Sequence, residues 1–336
     1  MRRPRCRLRS GPPLKRVGRR LWLGLLIAGL CLSVAWWFAD RTALQRAMAS
    51  IRPVWLGLAM AALAAGYACR VRRWHRMLKP SNERLRWTQC AGPLLAGMAL
   101  NNLLPLRAGD VMRAVSFQRP LGVPTAVLIA SLAAERLLDV MALFAICAVV
   151  LTTFAQVAIQ EAVSWSLAVL AAVVVTVLVL LVAFPRHWEE RRVAAGGPTS
   201  TFVPVIVRRA LRVAADALLE FRLMVSGGAW AALAAWTMLA WAFEGVVFWA
   251  VARSMPELPV PMGAWLALPL ATLATMVPGG PGHVGTFDLG AMQAMTLVGN
   301  DPGGALAYAL LAHLTLWAPV TAAGVGYLAV TARARA

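Results

Sequence analysis

Charged residues are scarce in this sequence. Asp, Glu, Lys and Arg make up only 14% of its 336 residues, whereas a soluble domain carries about 25%. Hydrophobic residues make up 60%, and several apolar runs reach the roughly 20 residues that a bilayer span requires. This balance excludes an ordinary soluble domain and predicts an all-α polytopic membrane protein.

Acidic residues are far fewer than basic ones, 14 Asp and Glu against 33 Lys and Arg, which leaves a formal net charge of +19. In a soluble protein such a charge would indicate nucleic acid. Here the positive charges fall between apolar runs, with nine Lys or Arg in residues 1–20, seven in 70–87 and seven in 186–222. The positive-inside rule assigns such segments to the cytoplasm. We therefore expect no nucleic-acid partner and cytoplasmic termini.

Signatures of catalysis and of bound cofactors are also missing. The five cysteines are scattered, and no HExxH, CxxC or Gly-x-Ser-x-Gly motif occurs. No ATP-binding motif is present. The sequence therefore predicts no metal, no cofactor and no catalytic residue, and it favours a transporter-like protein over an enzyme.

The charge pattern also predicts a topology. We expect a basic, disordered tail over residues 1–20 and a single transmembrane domain over 21–336. The full spans are predicted at 21–39, 53–69, 123–154, 164–184, 229–251 and 305–331. Because segment 70–87 should lie inside and segment 155–163 outside, residues 88–119 must leave the cytoplasm and return as a re-entrant hairpin. Because segment 253–261 should lie outside and the final span must end inside, residues 262–299 must leave the outer side and return to it as a second hairpin.

The order of these elements predicts an internal symmetry. Each half of the domain, 21–154 and 164–332, contains in order two spans, one hairpin and a further span. The two halves start on opposite sides of the membrane. Six spans and two re-entrant hairpins then form an inverted-topology repeat, as in transporters that bind substrate between broken helices. Eight complete spans would preserve the same sidedness. Within segment 186–228, an apolar stripe predicts an amphipathic helix on the inner surface.

The first predicted hairpin contains a polar break, Asn101 to Arg113, in otherwise apolar sequence. Irregular backbone at membrane depth survives only where it is buried in protein or lines a wet cavity. Asn101 and Asn102 could satisfy backbone groups freed by the proline or contact a ligand. Arg107 and Arg113 suit phosphate, because the guanidinium binds its oxygens bidentately.

Charged residues interrupt the span at 123–154 as well. Glu135, Arg136 and Asp139 would together cost about 7–10 kcal/mol if they were left unpaired at the bilayer centre. They therefore predict either a closed ion-pair cluster, with Arg136 in reach of Asp139, or a polar cavity in which the arginines bind phosphate.

The second break, residues 278–288, is rich in Gly and Pro and includes Gly282, Gly285 and Asp288. Backbone N–H groups at the start of its second half-helix would suit an anion. Asp288 would cap that helix or line the site. Glu244 is predicted to be an ion-pair partner or a cavity residue, whereas His313 reads as a hydrogen-bonded core residue.

Three motifs together resemble one known family. Residues 102–113 resemble the Asn-x-x-x-Pro-x-Arg-x-Gly-Glu stretch of the lysylphosphatidylglycerol synthase transmembrane-domain family, also called flippase-like proteins. Residues 135–139 resemble its Glu-Arg-x-x-Asp helix, and residues 281–288 its Pro-Gly-Gly-x-Gly-x-x-Glu loop. Asp110 and Asp288 stand where the family usually has Glu. The longest polar segment, about 40 residues, is too short for an aminoacyl-transferase domain, so the resemblance implies the membrane half alone.

The resemblance and the polar breaks lead to three hypotheses. The first is a translocase that moves a phosphate-bearing, polar-headed lipid between leaflets. The second is a non-transporting partner that presents lipid to a separate lipid-modifying enzyme, and the third is an enzyme acting on lipids. The candidate substrate-binding residues are Asn102, Arg107, Asp110, Arg113, Glu135, Arg136, Asp139, Gly282, Gly285 and Asp288.

Overall fold

The computed structural model describes residues 42, 49–104, 107–153, 205–225, 229–275 and 281–334. Over these residues the chain forms ten α-helices and no strand, which confirms the all-α class. The helices are α1 (Pro53–Leu78), α2 (Trp87–Leu103), α3 (Ala108–Ser116), α4 (Gln118–Leu121), α5 (Thr125–Thr153), α6 (Val205–Val225), α7 (Ala229–Ser254), α8 (Ala264–Ala274), α9 (Thr286–Leu297) and α10 (Pro302–Arg333).

Three of the described helical stretches are long and apolar enough to cross a membrane: Pro53–Ser81, Ala229–Ser254 and Pro302–Arg333. A fourth long helix, α5, has 29 residues but carries the three charges noted above. These helices correspond to four of the six predicted spans. The basic tail and the predicted spans at 21–39 and 164–184 lie outside the described residues.

The boundary predicted after Cys69 is wrong. Helix α1 continues to Leu78 and ends in a 3-10 turn that contains Pro80. Arg70 and Arg73 are buried inside the protein rather than placed in a solvated loop. The helix can bury these arginines because carboxylates on α5 and α7 neutralise them, and a count of charges along the sequence takes no account of such partners.

Both polar breaks separate two short helices. Helices α2 and α3 pack against each other across residues 104–107, and α8 and α9 pack against each other across residues 275–285. At 1.5 Å per residue, α3 is about 14 Å long and α8 and α9 are each about 17–18 Å long. These lengths are well below the roughly 30 Å of the hydrocarbon core.

Two apolar clusters form the core of the described residues. One joins α1, α5 and α7 to α8, α9 and α10, and the other joins the later part of α1 to α2, α3, α6 and the start of α5. Arg70 of α1, Asp139 of α5 and Thr237 of α7 fall, along each helix, between the residues of the two clusters. The buried Arg73 and Glu135 lie among residues of the second cluster. Polar side chains thus occupy the boundary between the clusters and the adjoining edge of the second one.

Glycines allow backbones to approach closely in the region of the first break. A Cβ at Gly109 of α3 would lie 1.9 Å from the carbonyl oxygen of Gly97 in α2. A Cβ at Gly324 of α10 would lie 2.2 Å from the carbonyl oxygen of Leu95, also in α2. Helix α2 is therefore held between α3 and α10 by contacts that only glycine permits.

Helix α6 is the described part of the predicted amphipathic segment. It packs mainly against α5, burying Phe221 and Met224 and exposing Asp216. Leu219 and Leu223 are also exposed. Its position on the inner membrane surface stays a prediction.

The contact between α2 and α10 can be tested by replacing Gly324 with Ala. We expect the overpacked side chain to lower the free energy of unfolding by about 1–3 kcal/mol. Gly326→Ala is the matched control, because its Cβ would meet nothing within 4 Å while the gain in helix propensity is the same. Thermal unfolding in detergent micelles measures both, and equal stability of the two variants would contradict the packing argument.

Candidate functional site

Glu135 of α5 is the centre of a buried ion-pair network. Its side chain is only 1% exposed. One carboxylate oxygen lies 3.0 Å from the guanidinium of Arg113 on α3, and the other lies 3.4 Å from that of Arg73 on α1. Two cations from different helices therefore compensate this buried carboxylate, as the cost of burying a charge demands.

Asp139, one turn along α5, extends the network. It accepts a hydrogen bond of 2.6 Å from Arg73 and one of 3.3 Å from the indole N–H of Trp241 on α7. Arg73 also donates to Thr237 of α7 at 2.9 Å. The predicted partner of Asp139 was Arg136, but the carboxylate turns toward α1 and α7 instead. This arrangement connects three long helices through polar contacts.

Arg113 is enclosed on every side that the structure describes. Its guanidinium stacks 4.2 Å from the ring centroid of Trp74, and its side-chain stem passes Gly97, where a Cβ would lie 2.4 Å from Cδ. Both terminal nitrogens are directed at Glu135. Of the two alternatives for this cluster, the geometry of Arg113, Glu135 and Asp139 supports the closed ion pair.

A second buried pair was not assigned from the sequence. Arg70 of α1 forms an ion pair with Glu244 of α7, and its guanidinium also lies near the rings of Tyr67 and Trp241. A sequence signal for the two buried arginines does exist. Arg70, Arg73 and the buried Trp74 recur at helical spacing, whereas Arg72, which lies between them, and Arg76, which follows them, are exposed.

The tip of the first hairpin is fixed by its two asparagines. The Asn101 side chain donates to the carboxylate of Asp110 at 3.0 Å and accepts the backbone N–H of Asp110 at 3.2 Å. Asn102 donates to the hydroxyl of Thr321 on α10 at 2.8 Å. Asn101 thus satisfies a free N–H at the start of α3, and Asn102 connects the tip to α10.

Two arginines remain open at this tip. Arg136 lies 3.5 Å from Asp110, its side chain is 37% exposed, and its Nε has no hydrogen-bond partner. Arg107 adopts a left-handed conformation with φ 51° and forms no side-chain hydrogen bond or ion pair with any described residue. The charged groups of Arg136, Asp110 and Asp139 interact electrostatically with its guanidinium group. These two guanidinium groups can therefore accept a further anionic partner.

Apolar residues border the open arginines. Leu103 and Leu104, which precede the break, are each 41% exposed, and Val111 of α3 is 62% exposed. Gly109 and Arg113 occupy the opposite, buried face of the same short helix. The charged tip thus lies next to a surface suited to hydrocarbon.

The second break is built around Asp288. This buried carboxylate accepts the backbone N–H of Gly285 at 2.8 Å, which caps the start of α9, and it lies 2.9 Å from Nδ1 of His313 on α10. The other ring nitrogen of His313 lies 3.0 Å from the carbonyl oxygen of Gly282. Of the two alternatives for Asp288, the geometry supports the one in which its carboxylate caps the start of α9. His313 is hydrogen-bonded in the interior, and its position between two acceptors was not foreseen.

The two breaks meet at a polar cavity of about 160 Å³. Asn102 from the first tip and Gly282 and His283 from the second line it, together with Glu244. Glu244 is therefore both an ion-pair partner and a cavity residue. Nδ1 of His283 and Nε1 of Trp317, which also lines the cavity, are buried without a hydrogen-bond partner among the described residues. No group of three His, Cys, Asp or Glu side chains that could hold a metal occurs in that part of the chain.

Comparison with known proteins connects this arrangement to a family. A family model described as lysylphosphatidylglycerol synthase TM region matches residues 21–324, which include both breaks and α5. The chain belongs to this family. Membership in the lysylphosphatidylglycerol synthase TM family indicates a lipid-related role in the membrane, and it confirms the resemblance seen in the three motifs. No curated protein matches the chain.

The network around Glu135 can be tested by replacing Arg73 with Gln. We expect a loss of about 3–5 kcal/mol in the free energy of unfolding, because the change leaves Asp139 without its cation and Glu135 with only one of its two. Arg76→Gln, one turn along the same helix at an exposed position, should stay within about 0.5 kcal/mol of the wild type. Unfolding in micelles, followed by tryptophan fluorescence, measures both. If the two variants are equally stable, the network does not hold these helices together.

Proposed function

We propose that this protein translocates a phosphate-bearing lipid between the leaflets of a bacterial-type inner membrane. In this proposal Arg107 and Arg136 bind the headgroup at the tip of the first hairpin. The acyl chains stay in the bilayer beside α3. No ATP motif occurs in the sequence, so movement is passive or driven by an ion.

The charge balance around the first tip is the observation that carries this proposal. Four of the five arginines in this region have a carboxylate partner: Arg70 pairs with Glu244, Arg73 with Asp139, Arg113 with Glu135, and Arg136 with Asp110. Arg107 is left over, and the longest of the four contacts is the 3.5 Å contact of Arg136. A single anionic group placed between Arg107 and Arg136 would therefore complete the balance. A phosphate suits this position because guanidinium groups bind its oxygens in a planar fork.

The surface beside these arginines supports a lipid rather than a soluble anion. Leu103, Leu104 and Val111 are exposed, and α3 directs its apolar side chains outward and its charged ones inward. A headgroup could enter from the side while its chains remain against this apolar face. An enclosed pocket for a soluble anion would have no need of such a lateral apolar border.

The order of helices supports an inverted-topology repeat with two re-entrant hairpins. Besides α4, the described part of the first half contains long helix α1, the pair α2 and α3, and long helix α5. Besides α6, the described part of the second half contains long helix α7, the short pair α8 and α9, and long helix α10. Arms as short as α3, α8 and α9 fit re-entrant hairpins better than full spans. Such repeats place substrate sites between discontinuous helices.

Arg136→Ala and Arg107→Ala test the headgroup site directly. In proteoliposomes containing fluorescent phosphatidylglycerol, we expect each variant to move the lipid about ten-fold more slowly or worse, since a hydrogen bond to a charged group contributes about 1.5–3 kcal/mol. Arg119→Ala is the matched control, because this arginine is exposed on α4 of the same hairpin and should keep the wild-type rate.

Two outcomes would contradict the proposal. Wild-type rates in folded, correctly inserted Arg107 and Arg136 variants would reject the site. Wild-type protein that retains phosphatidylglycerol by mass spectrometry yet never moves it would reject translocation and favour a membrane partner that presents lipid to a separate enzyme.

A further inference from the structure

His313 of α10 bridges two acceptors in the second break. Its Nδ1 lies 2.9 Å from a carboxylate oxygen of Asp288, and its Nε2 lies 3.0 Å from the carbonyl oxygen of Gly282. The Asp288 side chain is 1% exposed and that of His313 is 14% exposed. The bridge joins α10 both to α9 and to the turn Pro281–His283 that precedes it.

This geometry fixes the number of protons at the site. A backbone carbonyl only accepts hydrogen bonds, so Nε2 must carry a hydrogen. With Nε2 protonated, a neutral ring would present the lone pair of Nδ1 to the carboxylate, and the 2.9 Å contact would be repulsive. One additional proton must therefore lie between Nδ1 and Asp288. Asp288 accepts the Gly285 N–H at the start of α9, where the helix dipole favours a negative charge, and this favours placing that proton on the ring.

Loss of this proton would break the bridge on one side. The ring would keep one N–H, which could donate either to Gly282 or to Asp288 but not to both. Asp288 would keep its bond to Gly285 and would be left as a buried anion without a compensating cation. The connection between α10 and the second break therefore depends on a single proton.

The bridge ends where the two breaks meet. Gly282 has φ 69°, and a Cβ there would lie 2.6 Å from Nε1 of Trp317 and 3.3 Å from the carbonyl oxygen of Asn102. Gly282 and His313 both line the 160 Å³ cavity between the tips, which is large enough for several water molecules. Water in this cavity could accept the proton from the imidazolium and return it. The unpartnered nitrogens of His283 and Trp317 are further polar groups for such water.

Other charged and titratable groups surround the same cavity. Glu244, neutralised by Arg70, lines it from α7, and Tyr67 lines it from α1. His283 lies on the turn itself. None of these groups lies within hydrogen-bond distance of His313, so its two acceptors are Asp288 and Gly282.

We propose that His313 and Asp288 form a proton-binding site that holds the second break against α10, and that the proton is the ion coupled to lipid movement. The second half of this statement rests on the proposed translocase function. The first half does not, because it concerns only the protonation of a hydrogen-bonded pair.

Nuclear magnetic resonance of nitrogen-labelled histidine tests the site in the full-length protein in lipid nanodiscs. The chain has four histidines, and His313→Gln assigns the signal in question. At neutral pH we expect the wild-type His313 ring to carry hydrogen on both nitrogens. In Asp288→Asn the same ring should be neutral at that pH, since the amide gives no compensating negative charge.

His75 supplies the matched control. It also contacts a backbone carbonyl, that of Leu85 at 2.8 Å, but the structure gives it no carboxylate partner. His75→Gln should leave the His313 signal unchanged. A neutral His313 ring in the wild type, or one that stays doubly protonated in Asp288→Asn, would overturn the proton site.

Coupling is tested in the proteoliposomes with fluorescent phosphatidylglycerol. A pH gradient should change the wild-type rate several-fold, and His313→Gln, which keeps a donor for Gly282 but cannot hold the proton, should abolish that dependence. Wild-type movement that ignores the gradient would overturn the coupling while leaving translocation intact. If the wild type moves no lipid at all, both the translocase function and the coupling are rejected, and the resonance experiment alone decides the proton site.

Discussion

The described fold depends on neutralising charge in an interior that offers little water. Glu135 is buried among helices that are otherwise apolar, and it is compatible with that position only because Arg73 and Arg113 approach it from two other helices. Breaking such a pair costs several kcal/mol, whereas the intact pair contributes little net stability. The main effect of the network is therefore to determine which helices pack against one another. Any packing that separated α1, α3 and α5 would leave an uncompensated charge.

The same constraint distinguishes two kinds of arginine. Arg73 and Arg113 are enclosed and paired, so they position other groups. Arg107 and Arg136 lie at the hairpin tip with incomplete pairing, beside exposed Leu103 and Val111. A sequence motif presents all of these side chains as equivalent candidates for binding phosphate. Only their depth in the fold separates the arginines that are open to a further anionic partner from those that are enclosed and paired with carboxylates.

The sequence was sufficient for the helical class, the family and both breaks, because these depend on apolar run length and on Gly, Pro and charge within such runs. It misplaced Arg70 and Arg73, since counting charges along the chain treats every arginine after an apolar run as solvated. Their partners Glu244 and Asp139 are 174 and 66 residues away, a separation that no local pattern reports. His313 was expected to be a hydrogen-bonded core residue, but its two partners were not foreseen for the same reason, because Asp288 and Gly282 belong to other elements.

The contact between Gly97 and Gly109 has a mechanical consequence. Because the backbones of α2 and α3 touch there with no side chain between them, the two helices cannot slide past each other without a steric clash. The Arg113 stem beside Gly97 adds a further obstacle to such sliding. Any movement of α2 and α3 relative to the rest of the protein would therefore have to carry both helices together, as one body, about their contacts with α5 and α10.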